Sequence, residues 1–157
     1  MATTQDRILE SSDHNKRILQ TLAETDYAIP AMQQNNSYIN DLKAEIPVRE
    51  KNVQVFKNSM SKELYDHEKY RDSTVKRLAY KMGGKKEKFA EKAEKEEREY
   101  VAAVQEHFNA QRQLDLLKSS LAAAVKTHNE LLAASVVHSQ AQTELDALYN
   151  SIFAGPT

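Results

Sequence analysis

The sequence predicts an all-α protein, an elongated antiparallel helical hairpin of three long helices packed as a coiled coil and completed by a second copy of the chain. Three observations lead there. The 157 residues include only 3 Gly and 3 Pro, too few for the turns of an ordinary globular chain. Charged residues make up 29%, which suits elements that show water a polar face and a neighbour a narrow apolar stripe. Apolar residues recur at alternating steps of three and four along most of the chain, the pattern of helices packed along one seam.

The first helix is expected over about 4–46. Thr3-x-x-Asp6 has the spacing of a capping box and can open it. Its stripe reads Ile8, Ile18, Leu22, Ile29, Met32, Ile39 and Ile46, with Leu9, Leu19 and Leu42 beside it. Ser11, Asn15, Thr25 and Asn36 fall in the same seam, where polar residues weaken a coiled coil but fix its register. Pro30 lies inside this pattern, and an interior proline costs about 3 kcal/mol. The helix must kink there or break near 26–29; unbroken phase favours a kink.

A second helix is expected over 47–82. The stripe of the first ends at Ile46, and Pro47-Val48-Arg49-Glu50 reads as a restart with proline in the first turn. Its stripe is Val53, Phe56, Met60, Leu64, His67, Tyr70, Leu78 and Met82. Gly83-Gly84 then ends it, because two interior glycines would cost roughly 2 kcal/mol relative to alanine.

The third helix, 85–152, carries the longest pattern. From Phe89 the repeat passes through Glu96, Tyr100, Ala103, His107, Leu114, Leu117, Leu121, Ala124, His128, Leu131, Ser135 and His138, then Gln142, Leu145, Tyr149 and Ile152. Such a helix would be roughly 100 Å long. Tyr100, Leu114, Leu117, Leu121, Ala124, Leu131 and Leu145 are the expected packing and dimer seam. Val101, Val104, Phe108, Val125, Leu132 and Val136 lie beside it and widen the apolar face beyond what a two-helix hairpin covers. A homodimer is therefore expected, with the Ala-rich stretch from Leu121 to Ala134 at the closest helix–helix contact. The whole chain, 1–157, reads as one helical coiled-coil domain, and its end after Gly155-Pro156 reads as a domain cut from a longer protein.

Composition excludes several kinds of chemistry. With no cysteine there is no disulfide framework, zinc finger or thiol nucleophile. No run of about 18 apolar residues could span a bilayer, and the N-terminus has no signal-peptide pattern. A soluble, cytoplasmic protein is expected. His67, His107, His128 and His138 lie on seams, but no Glu-x-x-His step and no pair of histidines four apart accompanies them. They read as packed seam residues rather than metal ligands. Gly83-Gly84-Lys85-Lys86 lacks the spacing of a phosphate loop. No catalytic residue, metal or cofactor is expected, and the chain is not expected to be an enzyme.

Between Lys85 and Glu99 the charges alternate in sign, and Glu91–Lys95 and Glu94–Arg98 have the favourable i,i+4 order. This reads as a solvated helix. Residues 69–88 are different. They hold Lys69, Arg71, Lys76, Arg77, Lys81, Lys85, Lys86 and Lys88 against Asp72 and Glu87, a net +6 in a chain of net −1. Lys76, Arg77 and Lys81 suit a helix C-terminus. Lys85, Lys86 and Lys88 would open a helix, where the macrodipole disfavours cations by about 0.3–1 kcal/mol each. Residues set against a local preference are the better binding candidates. The expected partner is an anionic membrane or an acidic protein. Nucleic acid is disfavoured because no reading element or stacking array accompanies the charges.

Kinked long helices, a dimer seam and lysines at the turn before the last helix resemble BAR-type membrane-curvature modules. That resemblance implies a dimeric helical module that binds or shapes anionic membranes, peripheral to the bilayer. The tail Leu148-Tyr149-Asn150-Ser151-Ile152-Phe153-Ala154-Gly155-Pro156-Thr157 is similar to segments of uncharacterised fungal coiled-coil proteins, a likeness that implies no activity.

Overall fold

The structure, a computed structural model, describes residues 1–72 and 86–154. Among the described residues all regular structure is helical: α1 (Thr4–Glu10), α2 (Ser12–Thr25), α3 (Ala28–Asp72) and α4 (Lys86–Phe153). The Gly83-Gly84 turn and the stripe residues Leu78 and Met82 lie outside the described residues, as does the terminal Gly155-Pro156. The chain divides into two compact units, Met1–Asp41 with Leu121–Thr157, and Leu42–Ser120.

The capping box opens α1. The Thr3 hydroxyl accepts from the Asp6 backbone N–H at 3.1 Å, and the Thr3 N–H donates to Asp6 Oδ2 at 2.9 Å. The bonds that Thr3 donates to the ionised carboxylate, from its backbone N–H foremost and then from its hydroxyl at 2.8 Å, hold the Asp6 carboxyl below its ordinary value. An interruption follows at Ser11, which parts α1 from α2 and was not foreseen from the sequence. The Ser11 hydroxyl donates to the Arg7 carbonyl at 2.7 Å, a side-chain bond that competes with the helical ladder.

The next interruption is at Asp26-Tyr27, between α2 and α3. Pro30 is its cause, because a proline at 30 leaves the carbonyl of residue 26 without its i+4 donor. Asp26 keeps right-handed helical dihedrals (φ −59°, ψ −32°), and the Ala31 N–H reaches the Tyr27 carbonyl at 3.0 Å. Pro30 itself falls in the first turn of α3, where no ladder donor is required.

Pro47 behaves otherwise than its sequence context suggests. Instead of restarting a helix, it lies inside α3. The seam explains why. Ile39, Leu42, Ile46, Arg49, Val53 and Phe56 are buried or half-buried at unbroken steps of three and four, so packing continues in phase on both sides. Glu45 and Arg49 pair at 3.0 Å on the side of the helix away from the proline, and Arg49 also donates to Gln113 at 3.0 Å. Pro47 and Lys43 are both exposed, so the unpaired Lys43 carbonyl is open to water.

Within each unit the helices pair antiparallel. In the unit Met1–Asp41 with Leu121–Thr157, Thr25 meets His138 and Asn35 meets Ala124. In the unit Leu42–Ser120, Arg49 meets Gln113, Glu50 meets Lys118 at 3.5 Å, and His67 meets Tyr100. The core is thin. Its buried apolar residues include Ile18, Leu42, Leu114 and Leu131, but also Ala28, Ala103, Ala124 and Ala141, and among the described residues no large side chain is fully buried.

Candidate functional site

The densest group of ionisable side chains lies in the unit Leu42–Ser120, between α3 and α4. Steps of three and four carry the α3 seam from Val53 through Phe56 and Met60 to Glu63, and among the described side chains the α4 seam starts at Glu96. Both residues are half-buried. One carboxylate oxygen each from Glu63, Glu96 and Glu99 lie within 4.8 Å of one another. Oε2 of Glu63 and Oε2 of Glu96 are buried without a hydrogen-bond partner. Burial pushes the Glu96 carboxyl up from its ordinary value; Glu99, Asp66 and Glu63 push the same way, and only Lys95 opposes. Lys95 is itself turned to Glu99 at 3.7 Å, an exposed pair of little energetic weight. One turn away the ring of His67 stacks on Tyr100, with centroids 5.5 Å apart and planes 4° from parallel. Carboxylates so placed can share a proton or receive a hard, oxygen-seeking cation.

In the other unit the polar seam residues serve packing. The Asn35 amide donates to the Ala124 carbonyl at 2.9 Å, an approach that the small side chain of Ala124 permits. The close contact expected of a second copy in the Ala-rich stretch is thus made at this point by a residue of the same chain. Thr25 lies 3.0 Å from His138 Nδ1. Ser135 is buried and donates to the Leu132 carbonyl at 2.7 Å. Nδ1 of His128 is buried with no partner, as is Nδ1 of His107 in the unit Leu42–Ser120.

Of the expected anion-binding residues, Lys76, Arg77, Lys81 and Lys85 lie outside the described residues. Lys86 and Lys88 stand on the described beginning of α4, and their side chains lie outside the described ones. The seam residues are placed more fully. Leu114, Ala124 and Leu131 are buried, and Tyr100, Leu117, Leu121 and Leu145 are half-buried, all against helices of the same chain.

Several seam positions differ from the apolar reading. Glu63 occupies the place given to Leu64, which is 37% exposed. Strict alternation after Met60 points to Glu63; preference for an apolar residue points to Leu64. Ala28 is buried in place of Ile29, and Asn35 is half-buried in place of Asn36. Ala141 and Leu148 are covered in place of Gln142 and Tyr149. No family model matches the chain, and no curated protein or solved structure is significantly similar to it.

Proposed function

We propose that the chain is a non-enzymatic, self-associating helical scaffold whose basic segment, residues 69–88, docks on an acidic partner or surface. The segregation of charge carries this reading: a net +6 within one short segment of a chain whose total is −1. The seam supports the scaffold part. Thr25, Asn35, Ser135 and His138 find partners within the chain, while large apolar side chains such as Phe108, Leu116, Leu132 and Tyr149 stay outside it. A second copy is the simplest cover for them, so the scaffold works as a homodimer in the cytoplasm. Light scattering over a range of concentrations tests this; a constant monomer mass refutes it.

A second reading rests on the same lysines. In it the segment binds or shapes an anionic membrane in the manner of BAR-type modules, from the periphery. Among the described residues no helix is long and apolar enough to cross a membrane. Each Lys or Arg near an anionic surface contributes about 1 kcal/mol, so six to eight of them suffice for docking. Co-sedimentation with phosphatidylserine-rich vesicles at low salt separates the readings. Binding that is lost in a Lys85→Glu, Lys86→Glu, Lys88→Glu variant supports the membrane. No binding by the wild type leaves the acidic protein.

A further inference from the structure

The exposed apolar side chains of the unit Met1–Asp41 with Leu121–Thr157 are concentrated on one face. In an antiparallel helix pair, residues one position past the seam on either helix lie on the same side of the pair. The ion pair of Lys118 with Glu50 shows this in the other unit: each follows a seam residue, Leu117 or Arg49, and they meet at 3.5 Å. Applied to Ile18, Ala28, Ala124, Leu131 and Ser135, the same rule puts Leu19, Ile29, Val125, Leu132 and Val136 together. They are 41–48% exposed, too much for a core and too apolar for a solvated face.

Along α4 from Leu121 to Gln142 the two faces differ in charge. On α4 the row past the seam reads Ala122, Val125, Asn129, Leu132, Val136 and Ser139, with no charged residue. It continues through Gln142 to one charge, Asp146, and ends on Tyr149 and Phe153, whose rings pack on each other at 4.7 Å and which are themselves 62% and 53% exposed. The opposite face, one residue before each seam position, carries Arg17, Glu24, Glu130 and Glu144 beside Tyr27, Tyr38 and Val137, while the shorter row of the first face includes Asp26. A long uncharged row with apolar residues along it and aromatic residues toward one end has the composition of a protein interface.

We propose that the face bearing Leu19, Ile29, Val125, Leu132 and Val136 receives the same face of a second copy, turning this two-helix unit into a four-helix one. The inference rests on the self-association read above and names its surface. Area argues for the second copy. From Leu121 to Phe153 α4 runs about 50 Å at 1.5 Å per residue, and two helices at ordinary spacing make a face about 20 Å wide. That is on the order of 1,000 Å² per copy, against about 800 Å² per partner in a standard stable interface. A face that meets itself across a two-fold axis needs no other partner, and packing the two pairs face to face supplies the buried interior that each thin seam lacks.

The test is sedimentation equilibrium on the full chain as wild type, as Val125→Glu with Leu132→Glu, and as Tyr38→Glu on the opposite face. A dimeric wild type, a dissociation constant raised at least about 100-fold in the double variant, and an unchanged Tyr38→Glu variant are expected. A dimeric wild type with an equally dimeric double variant overturns this face and leaves self-association standing. A monomeric wild type overturns both. The chain has no cysteine, so single cysteines give a second readout should the double variant lose helicity. Val136→Cys should form a covalent dimer under mild oxidation and Glu130→Cys should not; the reverse pattern overturns the proposal.

Discussion

The hydroxyl of Thr25 lies 3.0 Å from Nδ1 of His138, and each residue stands where the seam of its own helix changes phase. On one side the covered positions run Ile18, Leu22, Thr25, Ala28, Met32, with two successive steps of three at Thr25. On the other they run Leu131, Ser135, His138, Ala141, Leu145, again with two steps of three. A skipped residue in a heptad pattern overwinds a coiled coil locally. Two helices in contact can tolerate the skip only if both make it at the same level. The Thr25–His138 contact is that level. Thr25 already donates its one hydroxyl proton to the Thr21 carbonyl at 2.7 Å, so Nδ1 of His138 is the donor to Thr25.

If the pair couples the two phase changes, replacing either partner loses the same interaction. Thr25→Ala and His138→Ala are each expected to cost about 1 kcal/mol, and the double variant less than their sum by a similar amount. Urea unfolding of the four proteins gives the coupling energy. Costs that add within about 0.3 kcal/mol would mean the contact is incidental.

The phase change also marks how far the sequence could be read. Long helices, the capping box at Thr3 and the α4 seam from Tyr100 to His138 follow from spacing alone. Ala28 does not, because an unbroken alternation after Thr25 selects Ile29, and isoleucine is the more apolar choice. Past His138 the same logic selects Gln142 and Tyr149 over Ala141 and Leu148. Both errors begin at the skipped step, which leaves no local mark in the sequence beyond Pro30 four residues past Asp26. At Glu63 the failure has the opposite cause: the alternation held and hydrophobicity misled.

The observed register can be tested at adjacent residues. Ala28 is 0% exposed, so Ala28→Leu should overpack the seam and cost about 1–3 kcal/mol. Asn35→Ala removes the bond to the Ala124 carbonyl and should cost about 1 kcal/mol. Asn36→Ala, at an exposed position, should stay within about 0.5 kcal/mol of wild type. A larger loss at Asn36 than at Asn35, measured by thermal or urea unfolding, would restore the unskipped register.

Pro47 supplies the sharpest reversal of local propensity. Its neighbours read as a helix start, yet packing of the seam, continuous on both sides, holds α3 through it. Proline is about 3 kcal/mol worse than alanine in a helix interior, partly offset by its smaller unfolded-state entropy. Pro47→Ala should therefore raise stability by about 1–2 kcal/mol and increase helical circular dichroism slightly. A destabilised variant would show that Pro47 begins a helix after all.

The Glu96 carboxyl sets a dependence on pH whose sign is opposite to that of the capping box. The Asp6 carboxyl is held below its ordinary 3.8, so its contribution is present above that value and lost as pH falls through the lower folded one. The Glu96 carboxyl is raised from its ordinary 4.5, by burial first and then by Glu99, Asp66 and Glu63. The folded chain thus holds this proton more tightly than the unfolded chain does. Its contribution is complete below 4.5 and is lost as pH rises through the raised folded value. Glu96→Gln keeps the shape and removes the charge, so its urea midpoint should exceed that of wild type at neutral pH and converge with it below 4.5. Glu99→Gln, at the exposed member of the group, should show the same trend more weakly, because solvent screens its charge. Curves for wild type and Glu96→Gln that stay parallel from acid to neutral pH would mean that the buried oxygens of Glu63 and Glu96 carry no electrostatic strain across the seam.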